Sequence, residues 1–78
     1  MARIRSLSRS AGSGRVHPTE TDADWSVVTN GEDTLLQIST YGSDSRASEP
    51  KVSQTLQFDR SMATTLRDAL NETFGLAD

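Results

Sequence analysis

The fold of this chain is decided by residues 25–41, whose sequence is WSVVTNGEDTLLQISTY. Residues 25–29 and 34–41 are rich in β-branched and aromatic side chains, which favour extended strands. Between them lies Asn30-Gly31, a dipeptide typical of tight hairpin turns because both residues tolerate positive φ angles. The stretch therefore predicts a β-hairpin, with ordered structure beginning at Trp25.

The segment after the hairpin predicts one more strand and a helix. Residues 42–50 contain Gly, Asp, Ser and Pro, and residues 51–58 then alternate between polar and apolar side chains. Asp59 is placed to cap a helix, and Gly75 supplies a left-handed stop. Apolar residues recur between them at helical spacing, namely Met62, Ala63, Leu66, Ala69, Leu70 and Phe74. The predicted fold class is α+β, a small antiparallel β-sheet of three or more strands followed by one C-terminal amphipathic helix.

Period-two alternation predicts an apolar and a polar face on this sheet. The apolar face should be covered by the helix and form a core of Leu36, Ile38, Val52, Leu56, Phe58, Leu66, Leu70 and Phe74. The opposite face should carry Leu35, Gln37, Ser39 and Tyr41 beside Lys51, Ser53, Thr55 and Gln57, with no acid on either of these two strands. Such a face suits an anion or a polar backbone, but it is also what half-exposed antiparallel strands ordinarily present to water.

Residues 1–24 differ in kind from the rest of the chain. The first fifteen residues carry four arginines and no acid, whereas residues 16–78 hold four basic residues and all eleven acidic ones. Apolar residues do not recur at a regular helical or strand spacing in this Ser/Gly/Arg-rich stretch. We therefore expect residues 1–24 to form a disordered basic arm and linker, and residues 25–78 to form the folded domain. The arm could contact phosphates, or it could serve only as a solubilising tail.

The residue inventory argues against catalysis and against metal binding. The chain has no cysteine, and its sole histidine, His17, lies beside Pro18 in the arm. Nucleophilic catalysis needs a base near the nucleophile, and common metal sites need clustered Cys or His ligands. We therefore expect a non-enzymatic protein without a cofactor or a metal. No apolar run approaches the length of a membrane helix or forms a signal peptide, so we expect a soluble cytoplasmic protein with no membrane contact.

Three short patterns resemble those of a group of short bacterial proteins. They are TYGS at residues 40–43, then Arg46, then KVSQTLQF at residues 51–58. In layout, strands followed by one amphipathic helix are similar to the single-stranded-DNA-binding fold of the transcriptional coactivator called positive cofactor four and its bacterial relatives. That resemblance implies a dimer that binds single strands through basic, aromatic and polar residues on its strands. The acidic body and the few lysines of this chain depart from that family.

These observations predict a nucleic-acid-binding or nucleic-acid-associated regulatory module, with single-stranded DNA as a possible ligand. Stacking on an aromatic ring and charge from basic residues are the physical means of holding a single strand. The candidate nucleic-acid-binding residues are Arg46, Lys51, Tyr41, Gln37, Ser53 and Gln57, with Arg3, Arg5 and Arg9 from the arm.

The alternative function is a protein-interaction regulator whose acidic body binds a larger protein partner. Under either function we expect a homodimer, because a small domain with four aromatic residues gains burial by pairing. The expected dimer contact is the end of the helix, at Leu70, Thr73, Phe74 and Leu76.

Overall fold

A computed structural model describes residues 1–42 and 52–76 of the chain. The described elements are β1 (Ala2–Arg3), β2 (Ala23–Asn30), β3 (Asp33–Tyr41), β4 (Val52–Phe58) and α1 (Arg60–Phe74). The strands form one sheet in the order β1-β4-β3-β2, and both of its long pairings are antiparallel. A small, mostly antiparallel sheet followed by one C-terminal helix confirms the predicted α+β class.

The hairpin forms where the sequence predicts it, with small shifts at its ends. Asn30 pairs with Asp33, so the turn consists of Gly31 and Glu32. Gly31 has a φ of 63°, a conformation that glycine adopts without steric cost. The strand β2 begins at Ala23, two residues before the predicted start at Trp25.

The register between the strands creates the two predicted faces. Leu36 pairs with Phe58 and Ile38 with Leu56, so their side chains share one face. We call this the apolar face; it consists of Trp25, Val27, Leu36, Ile38, Leu56 and Phe58. The other face, which we call the polar face, carries the apolar Val28 and Leu35 among mostly polar side chains, which are Arg3, Asp24, Ser26, Asp33, Gln37, Ser39, Thr55 and Gln57. The register shifts between Thr40 and Tyr41, and Tyr41 pairs with Val52, so Val52 leaves the alternation that the sequence predicts.

The helix α1 has the predicted ends. The side chain of Asp59 accepts a hydrogen bond from the Met62 amide at 2.9 Å, which satisfies one of the free donors of the first turn. Gly75 takes the left-handed conformation, and its N–H donates to the Asn71 carbonyl at 2.7 Å.

The position of α1 differs from the prediction that it covers the apolar face. Only one residue, Asp59, separates β4 from α1, and the helix meets the sheet at the end of β4 and the start of β3. A cleft at this end is lined by Leu36, Phe58, Ala63 and Thr64, among others. Trp25, on the same apolar face, remains 69% exposed. The prediction was wrong because α1 contacts only one end of the apolar face, and its one-residue link is shorter than the about two to six residues that usually connect a strand to the helix packed on it.

The predicted core is correspondingly only partly right. Phe58 is buried as predicted. Leu35 is also buried, although it lies on the opposite, polar face where we had placed it. Of the other predicted members, Leu36, Ile38 and Leu66 are half-buried, whereas Val52, Leu56, Leu70 and Phe74 are exposed. Leu35 lines a cleft together with Arg3 and residues from the start of α1, such as Ser61.

The N-terminal arm also contains regular structure that the sequence did not predict. Ala2 and Arg3 pair with Leu56 and Gln57 of β4 in a parallel ladder, and the Ile4 amide donates to the Gln57 carbonyl at 2.9 Å. The expectation of a disordered arm is therefore wrong for β1, because the outer edge of β4 offers unpaired backbone groups to any extended segment. It is also wrong for residues 23–24, which belong to β2. The division into an arm and a domain stays a prediction.

Within the described part of the chain, no helix has the length and apolar character needed to cross a bilayer.

Candidate nucleic-acid interface

A row of polar side chains crosses three strands of the polar face. Arg3 of β1 pairs with Gln57 of β4, and Gln57 pairs with Gln37 of β3, so the three side chains lie on one side of the sheet. The Gln57 Nε2 donates to the Gln37 Oε1 at 2.8 Å. This bond uses one donor and one acceptor, and both half-buried amides retain further hydrogen-bonding capacity.

The next cross-strand pair, Ser39 and Thr55, makes a contact within the sheet. Ser39 and Thr55 are buried, and their hydroxyl oxygens are 3.4 Å apart, a weak hydrogen bond in which either can be the donor. Hydroxyls that are covered and paired in this way cannot readily contact a ligand. The usable part of the polar face is therefore the glutamine row and the strand ends.

Tyr41 lies at the end of β3, where it contacts β2. Its hydroxyl donates to the Asp24 Oδ2 at 2.6 Å, its amide donates to the Asp22 carbonyl at 3.1 Å, and its carbonyl accepts from the Thr21 hydroxyl. The hydrogen bond to Asp24, with lesser effects of burial and of the carboxylate charge, raises the pKa of Tyr41 above its usual value. The ring is half-buried and held in place by these contacts.

Asp24 is the residue of this site that sequence reasoning missed. We had placed it in a linker, but it pairs with Ser39 and so brings a carboxylate to the polar face. β3 also begins with an acid, Asp33, at the far end of the same face. The polar face therefore carries negative charge, contrary to the prediction from residues 34–41 and 51–58. The signal that could have found it is the alternation Asp24, Ser26, Val28, which extends the strand pattern upstream of Trp25.

The structure places the predicted basic residues in different parts of the molecule. Arg3 joins the polar face, where its Nη2 is 3.7 Å from the Asp59 Oδ2. Arg9 instead reaches the helix, where its Nη1 donates to the Glu72 Oε2 at 2.7 Å. Arg5 is exposed in the arm, and Ser53 is exposed on β4. Arg46 and Lys51 lie outside the described residues. Of the nine predicted residues, the structure brings together Arg3, Gln37 and Gln57, with Tyr41 at the end of the strand.

Potential metal ligands do not cluster in residues 1–42 and 52–76. These residues contain no group of three or more His, Cys, Asp or Glu side chains arranged to hold a metal ion. The Nδ1 of His17 accepts a hydrogen bond from the Thr19 amide at 3.2 Å, a contact within the arm itself.

Searches against protein-family models, curated proteins and solved structures find no match for this chain.

Proposed function

We propose that this chain is a non-enzymatic, nucleic-acid-associated regulatory module that binds single strands across its polar face. The observation that carries the proposal is the row of Arg3, Gln57 and Gln37 on adjacent strands, with Tyr41 nearby. A guanidinium group can pair with a phosphate, and glutamine amides can donate to phosphates or contact base edges. An aromatic ring at the margin can stack on a base whatever its identity.

The electrostatics of the chain set the expected strength of binding. The net charge of −3 opposes a polyanion at long range. Positive charge is concentrated in the arm, whose first residues extend the sheet from its β4 edge. Binding should therefore be weak to moderate, depend on the arm arginines, and weaken as salt rises.

The test is fluorescence anisotropy of a labelled oligothymidine over a series of salt concentrations. Replacing Arg3 with Gln should weaken binding and flatten the slope of log affinity against log salt by about 0.7, the value for one phosphate contact on a single strand. Arg67→Gln is the matched control, because it removes the same charge from an exposed helix residue that lies beside Asp68. Equal effects of the two variants, or the absence of salt-dependent binding, would contradict the proposal.

Tyr41 offers a second test of the same proposal. Tyr41→Ala should raise the dissociation constant roughly 5- to 150-fold, the equivalent of about 1–3 kcal/mol for one stacked base. Tyr41→Phe keeps the ring and removes only the hydroxyl that binds Asp24, so it should retain most of the affinity. If both variants lose affinity to the same extent, the ring is not a stacking platform.

The alternative is a protein-interaction regulator, and the carboxylate of Asp24 on the polar face favours it. Under this hypothesis the acidic body binds a basic site on a larger protein. A chain that binds an arginine-rich peptide but not oligothymidine, and that loses peptide affinity on Asp24→Asn, would support the alternative.

A further inference from the structure

The apolar face of the sheet is covered by described residues only at the end near α1, and its β2 side is exposed. Trp25 is 69% exposed and Val27 is 59% exposed, although both lie on the same face as the buried Phe58. Single exposed apolar residues are normal on a protein surface. Trp25 and Val27, however, lie on the same face of one strand, and they pair with Ile38 and Leu36 of β3. Leu56 of β4 extends the same apolar surface beyond Ile38. A continuous apolar surface of this kind is typical of a protein contact.

The helix presents the complementary surface. No residue of α1 is buried, and its last turns expose Leu70 and Phe74, the latter by 67%. The arm reaches one side of the helix, where Leu7 and Arg9 line a cleft with Leu66 and Ala69. An amphipathic helix gains most of its stability by packing its apolar side, and α1 has little of that packing within its own chain.

The chain cannot readily bring these two surfaces together by itself. The connection between a strand and the helix that packs back on it is usually about two to six residues long, and here Asp59 is the only one. Asp59 is further held by its bond to the Met62 amide. Accordingly the start of α1 lines a cleft with Leu36 and Phe58, whereas Phe74 at its end and Trp25 on the sheet both remain exposed.

The chain exposes more surface than a compact monomer of its mass, and the excess is comparable with the area that one copy buries in a homodimer. The chain exposes 7008 Å², whereas a compact monomer of this mass exposes about 4,650 Å². The radius of gyration is 14.8 Å, against about 11.5 Å for a compact chain of this length. The extended arm contributes to both differences. The excess is of the order that each copy of an obligate homodimer buries, about 1,000–2,500 Å².

We infer that the apolar face is the docking site for helix α1 of a second copy of this chain. Each copy exposes the β2 side of its apolar face and the end of its helix, so a two-fold axis satisfies both at once. The dimensions agree, because the fifteen residues of α1 extend about 22 Å and the eight residues of β2 extend about 26 Å. The pairing covers Trp25 and Phe74 and leaves both polar faces open.

This geometry differs from a dimer held only by contacts between the two helix ends. In the inferred dimer, residues of the sheet in one copy lie near residues of the helix in the other. The absence of cysteine from the chain allows this to be tested by introducing single thiols. Three variants of the full chain are needed: Val27→Cys, Phe74→Cys, and Val16→Cys as a control on an arm residue that is 95% exposed.

The variants are mixed in pairs and treated with a short bismaleimide crosslinker at micromolar protein concentration. The inference predicts that Val27→Cys mixed with Phe74→Cys gives a covalent heterodimer in several-fold excess over either homodimer, and over mixtures with Val16→Cys. A dominant Phe74→Cys homodimer would overturn it in favour of contact between helices.

Sedimentation and fluorescence of the unmodified chain provide the second measurement. The dimer should sediment at twice the 8.5 kDa chain mass. Val27→Asp and Phe74→Asp should each raise the dimer dissociation constant roughly 30-fold or more, because each places a charge in the apolar contact, while Val16→Asp should not. The fluorescence of Trp25, the sole tryptophan, should shift to longer wavelength on dilution as the face becomes exposed. A monomer at all concentrations overturns the inference, as does Val27→Asp that stays dimeric.

Discussion

Asp59 has two separable contacts, and substitution there tests how the helix is attached to the sheet. Its Oδ1 accepts from the Met62 amide at 2.9 Å, and its Oδ2 is 3.7 Å from the Arg3 guanidinium. Loss of an N-cap costs about 1 kcal/mol. The ion pair is long and joins side chains that are 51% and 38% exposed, so solvent screening limits it to a few tenths of a kcal/mol.

Asp59→Ala removes both contacts and should lower the free energy of unfolding by about 1–1.5 kcal/mol. In a domain of this size that corresponds to a fall in melting temperature of roughly 4–12 °C. Asp59→Asn keeps a capping oxygen and loses only the charge, so it should cost no more than about 0.5 kcal/mol and match Arg3→Gln.

The assay is urea unfolding followed by circular dichroism, at one protein concentration for all variants because self-association affects apparent stability. High salt should remove the difference between the wild type and Asp59→Asn, and it should leave the effect of Asp59→Ala largely intact. The reasoning fails if Asp59→Asn is as destabilising as Asp59→Ala, since the charge rather than the cap would then be responsible. An Asp59→Ala variant as stable as the wild type would show that the cap contributes nothing.

Two further predictions concern Tyr41 and the core. As the only tyrosine, Tyr41 can be titrated by its tyrosinate absorbance, and its pKa should lie above the usual 10.0 in the folded chain and fall toward it in Asp24→Asn. Because the folded-state pKa of Tyr41 is raised, the stability linked to its hydroxyl is present below the ordinary tyrosine pKa. It is lost as the pH rises through the folded-state pKa. If Asp24→Asn leaves the pKa of Tyr41 unchanged, the hydrogen bond to Asp24 is contradicted. Leu35→Ala should lower the free energy of unfolding by on the order of 2–3 kcal/mol. The control is Leu7→Ala, at an arm leucine that is 36% exposed, which should cost less than about 1 kcal/mol. Equal costs for the two variants would show that Leu35 is not a core residue.

The residues of the candidate site were predictable where the face of a residue follows from the alternation within its own strand. Alternation along β3 and β4 places Gln37 and Gln57 on one face, and the structure pairs them in register. Asp24 and Arg3 were not placed correctly, because each reaches the polar face through a strand whose pairing depends on a distant partner. A two-residue strand such as β1 has no periodicity of its own to detect.

Local chemistry along the sequence determined the elements of this protein. The turn at Gly31, the Asp59 cap and the Gly75 stop each act within a few residues, so the hairpin and the helix ends could be predicted without knowing the fold. Where the helix lies was decided only by the tertiary structure. Hydrophobic spacing indicates which side of α1 is apolar but not which surface covers it. With the single-residue link at Asp59, α1 contacts only one end of its own sheet. The burial of Leu35 and the exposure of Trp25 follow from that placement, since burial depends on contacts between segments that are far apart in the chain.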